Sequence, residues 1–375
     1  MIAIGAQHIF DGHASHGEGV VVVEEGRIVA IASEAPPGMP FDEWTEDVII
    51  APGYIDAQVN GAGGVLLNAT PTLEAMAAIA RAMAGTGTTS ILPTLITDAP
   101  GRMEQALEAA RAALEAGIPG IAGLHLEGPF LSPARHGAHP KAMVRRMTQA
   151  DAALLARPFP GCLLVTLAPE ETDPALIRAL ADAGVLLFAG HSDASFEQAR
   201  DGLDAGITGF THLTNAMAPI AGRAPGIAAA ALSDPRARAG IIVDTIHVHP
   251  AMVAMALRLM GPDRLFAVSD AMPTAASDIT EFDLCGDHVT LKDGRLTNQA
   301  GGLAGAHVTM AECVRNLVNH VGVDWETAVQ MATATPAAVL GLDDRGRIAP
   351  GMRADLVALD PNMNVLAVWQ GGVRM

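Results

Sequence analysis

The segment "VLLFAGHSDASFEQARDGLDAGITGFTHLTN" (residues 185–215) holds the fold in miniature. An apolar run of strand length leads to His191, an amphipathic stretch of helical length follows, and a second short run leads to His212. Strand, helix and strand in succession form a crossover unit whose two strands run parallel.

The same alternation spreads in both directions. "GYIDAQVN" (53–60), "SILPTLI" (90–96), "IAGLHLEG" (121–128) and "LLVTLAPE" (163–170) precede it, and "AGIIVDTIHV" (239–248) and "LFAVSDAM" (265–272) follow. Ala-rich helical stretches such as "TLEAMAAIARAMAG" (72–85) separate most of these runs, although the one between strands six and seven is weakly marked. Eight strands in this order predict an α/β fold, a (β/α)8 TIM-type barrel, with chemistry at the C-terminal ends of the strands.

The two ends of the chain read differently. "GVVVVEEGRIVAIAS" (19–33) and "ADLVALDPNMNVLAVWQGG" (354–372) are hairpin patterns without a helical period. A lone hairpin is marginal in water, so the ends are expected to pair as one small β-sandwich domain. The expected division is 1–50 and 349–375 for the two parts of that domain and 51–348 for the barrel. Pro- and Gly-rich linkers stand at 35–40 and 347–355.

Composition narrows the function. Acidic residues number 41 against 23 basic ones, for a net charge of -18, which argues against a nucleic-acid partner. It leaves open an anionic small molecule, which feels local groups in a pocket. Cys162, Cys285 and Cys313 are widely spaced and form no CxxC pair, the usage of reduced thiols in a cytoplasmic protein. No basic-then-apolar leader opens the chain and no apolar run approaches the roughly 18 residues of a membrane span. A soluble cytoplasmic protein with no membrane partner is expected.

Ionisable residues gather at strand ends. Glu127 in "HLEGPF", His191 in "FAGHSD" and His212 in "FTHLTN" supply one carboxylate and two imidazoles, a donor set for one catalytic divalent metal ion. Zn²⁺ suits it best, with Fe²⁺, Co²⁺ or Mn²⁺ as alternatives. Each residue alone reads as a hydrogen-bonded rim residue; three together shift the weight to the metal. Asp270, ending strand eight in "AVSDAMP", is placed to exchange a proton with water and leaving group.

"PGYIDAQVNG" (52–61) carries Gln58 and Asn60 where two histidines would make a metal pair. Neutral amides are poor ligands, so one metal is expected with the second position vacant, and the amides are expected to hydrogen-bond around water and substrate. "HVHP" (247–250) has the His-x-His spacing, but three ligands already suffice elsewhere; His247 reads as a substrate contact and His249 as structural. "NAMAPIAGRAPG" (215–226) offers backbone N–H groups, the Asn215 amide and Arg223 for a phosphate. In "ARHGAHPKAM" (134–143), His139 reads as a group that polarises a substrate carbonyl or as one that hydrogen-bonds the loop.

Taken together, "PGYIDAQVNGAGG", "HLEGPFLSPARHGAHP", "GHSDA", "THLTNAMAPIAGRAPG", "DTIHVHP", "VSDAMP" and "GGLAGAHVTM" resemble, in type and order, the N-acetylglucosamine-6-phosphate deacetylases of the amidohydrolase superfamily. The resemblance implies metal-dependent hydrolysis of the acetamide of N-acetyl-D-glucosamine 6-phosphate, giving D-glucosamine 6-phosphate and acetate. It implies Glu127, His191 and His212 as ligands and Asp270 as general base and acid. His139 would contact the acetyl carbonyl, and Asn215, the Ala216 amide and Arg223 would clamp the phosphate. His247 would reach the phosphate of a neighbouring subunit, which implies a homodimer, and Leu303 would face the pocket. Ala306 departs from the small polar residue of that family.

Alternatives remain. A galactosamine-type substrate differs in one hydroxyl. A cyclic-amide hydrolase of the superfamily needs a two-metal site with a carboxylated lysine, for which no strand end offers the residue. A barrel without catalysis would lack Asp270 or a ligand.

Overall fold

The computed structural model describes residues 1–375. Its central element is an eight-stranded parallel sheet in sequence order. The strands are β1 (Tyr54–Val59), β2 (Thr88–Ile96), β3 (Gly123–Glu127), β4 (Cys162–Leu167), β5 (Leu186–Ala189), β6 (Gly209–Phe210), β7 (Arg238–Ile242) and β8 (Leu265–Val268). Each strand pairs in parallel with the next; Glu127 of β3, for example, stands beside Thr166 of β4. β1 and β8 close the barrel through the Val59–Ala271 bridge and the Asn60 N–H, which donates to Ala271 O at 2.9 Å.

The helices form for local reasons. In Phe196–Ala205, Ser195 and Gln198 make a capping box, and Gly206 ends the helix at φ 124°. Leu73–Ala84 buries Met76, Ile79, Ala80 and Met83, spacings of three and four that mark one apolar face against the sheet. The weakly marked helix between strands six and seven is Gly226–Ser233. It buries Gly226, Ile227, Ala228, Ala230, Ala231 and Leu232, so little polar face remains to betray a period.

Both ends of the chain join as anticipated. One sheet of four strands comes from the first 43 residues. A second, of five strands, sets His8–Ile9 and Ile49–Pro52 beside Leu356–Leu359, Val365–Gln370 and Val373–Arg374. Ile50 pairs with Ala358 across that join. A separate cluster of 14 buried residues, including Ile4, Val21, Ile50, Leu356 and Trp369, fills the space between the sheets.

One element was not anticipated. Glu281–Leu284, Asp287–Lys292 and Arg295–Asn298 form an antiparallel meander after β8. It packs Leu284, Val289 and Leu296 onto Met272, Leu66 and Ile96 at the rim of the barrel. The signal was present: Asp293 and Gly294 take the left-handed conformations, φ 51° and 74°, of a tight hairpin turn.

Candidate active site

Four strand ends meet at one mouth of the barrel. Glu127 is the last residue of β3, and His191, His212 and Asp270 each lie two residues beyond β5, β6 and β8. These three leave their strands through left-handed conformations, with φ of 47°, 31° and 52°. Such angles are costly for residues with a Cβ and turn the side chains inward over the barrel axis.

Three donor atoms converge. Glu127 Oε1 lies 2.9 Å from His212 Nε2 and 3.1 Å from His191 Nε2, and the two nitrogens are 3.0 Å apart. Atoms that share one Zn²⁺ at about 2.0–2.2 Å stand about 3.0–3.5 Å from each other, so the trio fits a metal ion. His191 Nδ1 donates to the Arg135 carbonyl at 2.9 Å, which leaves a lone pair on its Nε2. His212 Nδ1 is buried without a partner. Burial opposes charge on Glu127, yet the two imidazoles that face it hold its carboxyl well below the ordinary range. Burial likewise opposes charge on His212, but Glu127 outweighs it and the ring is pushed up.

Glu127, His139 and His191 form a second trio whose donor atoms lie within 4.8 Å. The tautomer of His139 separates the two. Its Nδ1 accepts the Thr97 N–H at 3.3 Å and lies 2.9 Å from Thr97 Oγ1. The proton of the neutral ring therefore sits on Nε2, 4.0 Å from Glu127 Oε2. Burial and the neighbouring His191 keep this ring neutral, with its pKa well below the ordinary histidine value. His139 thus presents an N–H donor to the cavity, whereas His212 completes the tight lone-pair set.

Asp270 is held by the amides of the opening motif. Its Oδ1 accepts Asn60 Nδ2 at 2.7 Å and Gln58 Nε2 at 3.0 Å. Gln58 Nε2 also stands 3.2 Å from each oxygen of Glu127. The amides were expected around water and substrate; here Gln58 ties the two carboxylates together, while Asn60 holds Asp270 and lines the cavity. Burial, then the charge of Glu127, pushes the Asp270 carboxyl up to about 6, a value suited to proton exchange near neutrality.

A cavity of about 390 Å³ lies over this cluster. Glu127, His191, His212, Asp270, His139 and Asn60 line it, as do Asn215, Ala216, His247 and Leu303. Gln58 stands behind the wall, and Arg223 is exposed outside the lining. His247, expected to serve a neighbouring subunit, lines the cavity of its own chain, with Nδ1 2.6 Å from Asp244 Oδ2. His249 caps the helix Pro250–Met260, its Nδ1 accepting the Ala251 N–H at 3.2 Å. Beyond His212, Thr214 and Ala216 also have positive φ, 76° and 50°. Within this stretch the Leu213 N–H donates to the Gly240 carbonyl at 2.8 Å and the Asn215 N–H to the His212 carbonyl at 2.9 Å.

Some site residues carried no sequence signal. Thr97, Met272 and the Arg135 carbonyl act through loop geometry. His125 bonds Thr166 Oγ1 at 2.8 Å, and Thr166 bonds Thr211 at 2.6 Å, a buried chain beneath the site. Its i, i+2 spacing to Glu127 was the available clue.

An eight-stranded barrel with a Glu–His–His donor set and a half-buried carboxyl at its strand ends has the architecture of a metal-dependent hydrolase. The chain belongs to the amidohydrolase family, which matches residues 49–375. It is 39% identical over 376 residues to an N-acetylgalactosamine-6-phosphate deacetylase of Shewanella sp. (strain ANA-3), covering 99% of this chain and 95% of that protein. It is 37% identical to the N-acetylglucosamine-6-phosphate deacetylase of Homo sapiens over 86% of this chain and 82% of that one. Among solved structures, the N-acetylglucosamine-6-phosphate deacetylase from Pasteurella multocida superposes with a TM-score of 0.96 at 31% identity, covering 100% of this chain and 99% of that one.

Proposed function

We propose that the protein hydrolyses the acetamide of N-acetyl-D-glucosamine 6-phosphate to acetate and D-glucosamine 6-phosphate. One observation carries this: a Glu–His–His set, the Asp270 carboxyl and the Asn215–Ala216 segment share one cavity. Glu127, His191 and His212 would hold one divalent ion, Zn²⁺ being the best match to this donor set. That ion would supply Lewis-acid polarisation of the amide carbonyl and lower the pKa of the attacking water.

The chain's own residues supply the rest. Asn60 and Gln58 occupy Asp270 Oδ1, so Oδ2 is the oxygen left to take a proton from the attacking water. The same carboxyl then returns the proton to the departing amine. His139 Nε2–H donates to the carbonyl oxygen as it becomes a tetrahedral oxyanion. Asn215 and the Ala216 N–H hold the phosphate. Arg223 and His247 complete the phosphate site, Arg223 from an exposed position outside the cavity lining.

Acetate release from N-acetylglucosamine 6-phosphate, measured against the unphosphorylated sugar, tests the reading. Equal turnover of both sugars would remove the phosphate assignment, and no turnover with any divalent ion would remove the deacetylase. A second reading is hydrolysis of N-acetylgalactosamine 6-phosphate, favoured by the name of the 39%-identical relative. The ratio of kcat/KM on the two epimers decides between them. A cyclic-amide hydrolase is disfavoured because no lysine lines the cavity.

We further place the catalytic barrel at 51–348 and the small domain at 1–50 with 349–375, supported by the separate 14-residue cluster. A cytoplasmic location is supported by three free cysteines. No helix is long and apolar enough to cross a membrane. A homodimer is proposed on the resemblance alone; light scattering in solution tests it.

A further inference from the structure

Asp56 is a buried carboxylate close to this site with no task in the chemistry above. It is 0% exposed and does not line the cavity, so it meets no substrate. Its Oδ1 accepts the backbone N–H groups of Gln58 and Ser269, each at 3.2 Å. Its Oδ2 accepts a short hydrogen bond from Ser269 Oγ. Ser269 Oγ in turn accepts the Ala271 N–H at 3.1 Å. The backbone on both sides of Asp270 is therefore tied, directly or through one hydroxyl, to a single carboxylate.

The location of this link gives it weight. Neighbouring strands elsewhere in the barrel share ladders of paired residues, but β1 and β8 meet at the single Val59–Ala271 bridge. Asp270 sits in that thin seam at φ 52°. A left-handed conformation is costly for such a residue and persists only where its surroundings over-determine it. Its carbonyl accepts the Ala306 N–H at 3.0 Å, which fixes one side only. The Asp56 carboxyl accepts from both the N–H and the hydroxyl of Ser269, so it is placed to fix the other side. The same carboxyl holds the Gln58 N–H, so the residue whose amide donates to Asp270 Oδ1 and the Asp270 backbone share one anchor.

We propose that Asp56 and Ser269 are positioning residues for the hydrolysis: their hydrogen-bonded pair sets the backbone of 269–271 and thereby aims the Asp270 carboxyl at the reacting amide. The proposal rests on the deacetylase reading. Removing the pair leaves the proton carrier and the metal donors in place but misdirects the carboxyl, a fault that appears in the chemical step more than in binding.

Metal-replete Ser269→Ala, Asp56→Asn and the double variant are assayed on both N-acetylhexosamine 6-phosphates, with bound metal measured in each. The expected result is a fall in kcat of about 10- to 100-fold, with KM within about threefold of the parent and metal content unchanged. The double variant should lose no more than the worse single one, as for residues acting as a unit. A folded Ser269→Ala with kcat within about twofold of the parent overturns the proposal, as do losses that multiply or that appear in KM alone. Should Asp56→Asn fail to fold, Ser269→Ala decides by these criteria. A parent protein inactive on both sugars overturns the deacetylase reading instead. In that event, amide exchange at Asp270 and Ala271 tests the pair: exchange about tenfold faster in Ser269→Ala supports it, and unchanged exchange overturns it.

Discussion

Gln58 Nε2 stands 3.0 Å from Asp270 Oδ1 and 3.2 Å from both oxygens of Glu127, so one neutral amide spans the proton carrier and the metal-facing carboxylate. Two carboxylates this close repel, and an amide donor between them offsets part of that repulsion. Gln58→Leu removes the donor at similar volume. A hydrogen bond to a charged group contributes about 1.5–3 kcal/mol, so kcat is expected to fall by about 10- to 100-fold. Steady-state kinetics check this; an unchanged kcat would mean the amide is only a spacer.

Asp270→Asn keeps the shape of the side chain and removes its ability to exchange a proton. Bound metal, read by elemental analysis, should match the parent, while kcat falls about 10²- to 10⁴-fold. A fully active variant would show that another group carries the proton.

Metal removal gives a third expectation. Prolonged dialysis against a chelator should abolish acetate release, and one equivalent of Zn²⁺ per chain should restore it. Gln58 and Asn60 point their N–H donors at the carboxylates, and neutral amides are poor ligands beside imidazole and carboxylate, so no second tightly held ion is expected. Two tightly held ions per chain would contradict the one-metal site.

The phosphate end separates binding from chemistry. Asn215→Ala and Arg223→Ala should each raise KM for the phosphorylated sugar by about tenfold, a loss of about 1.4 kcal/mol. Neither should change the slower turnover of the unphosphorylated sugar. If Arg223→Ala leaves KM unaltered, the exposed guanidinium has no part in the clamp.

Stability should respond to acid at a site far from the chemistry. Asp151 closes the capping box of Gln149–Leu155 and pairs in bidentate fashion with Arg145, at 2.6 and 2.7 Å. Burial opposes its charge, yet Arg145 and Thr148 hold its carboxyl down at about 2. A depressed carboxyl stabilises the fold above its ordinary pKa, and that contribution disappears as pH falls from about 5 toward 2. Asp151→Asn should therefore cost about 1 kcal/mol near neutrality, and the difference in melting temperature should shrink in acid. A constant difference down to pH 3 would remove the ion pair as its source.

The barrel was legible because its strands are buried on both faces and read as apolar runs, each ending in a polar residue. The paired chain ends were legible because hairpins have nowhere else to hide their Val and Ile. The rest depends on conformations that no residue type announces. His191, His212 and Asp270 sit at positive φ, where sequence statistics look for Gly or Asn. His247 was expected at a neighbouring subunit's phosphate, and the path of the loop after β7 sets it in the lining of its own chain's cavity. Arg223 looks like a phosphate ligand in the sequence, and in the fold it is exposed and outside the cavity lining.

The antiparallel pairing of Ile49–Pro52 with Leu356–Leu359 has a consequence for biosynthesis. The first half of the small domain leaves the ribosome without its partner strand. At about 5–20 residues per second, the roughly 300 intervening residues take on the order of 15–60 s to synthesise. Until then the edge of Ile49–Pro52 that Leu356–Leu359 will cover stays open, an invitation to pair with other nascent chains. Chaperone demand and yield on fast translation should therefore be set by these few residues rather than by the barrel.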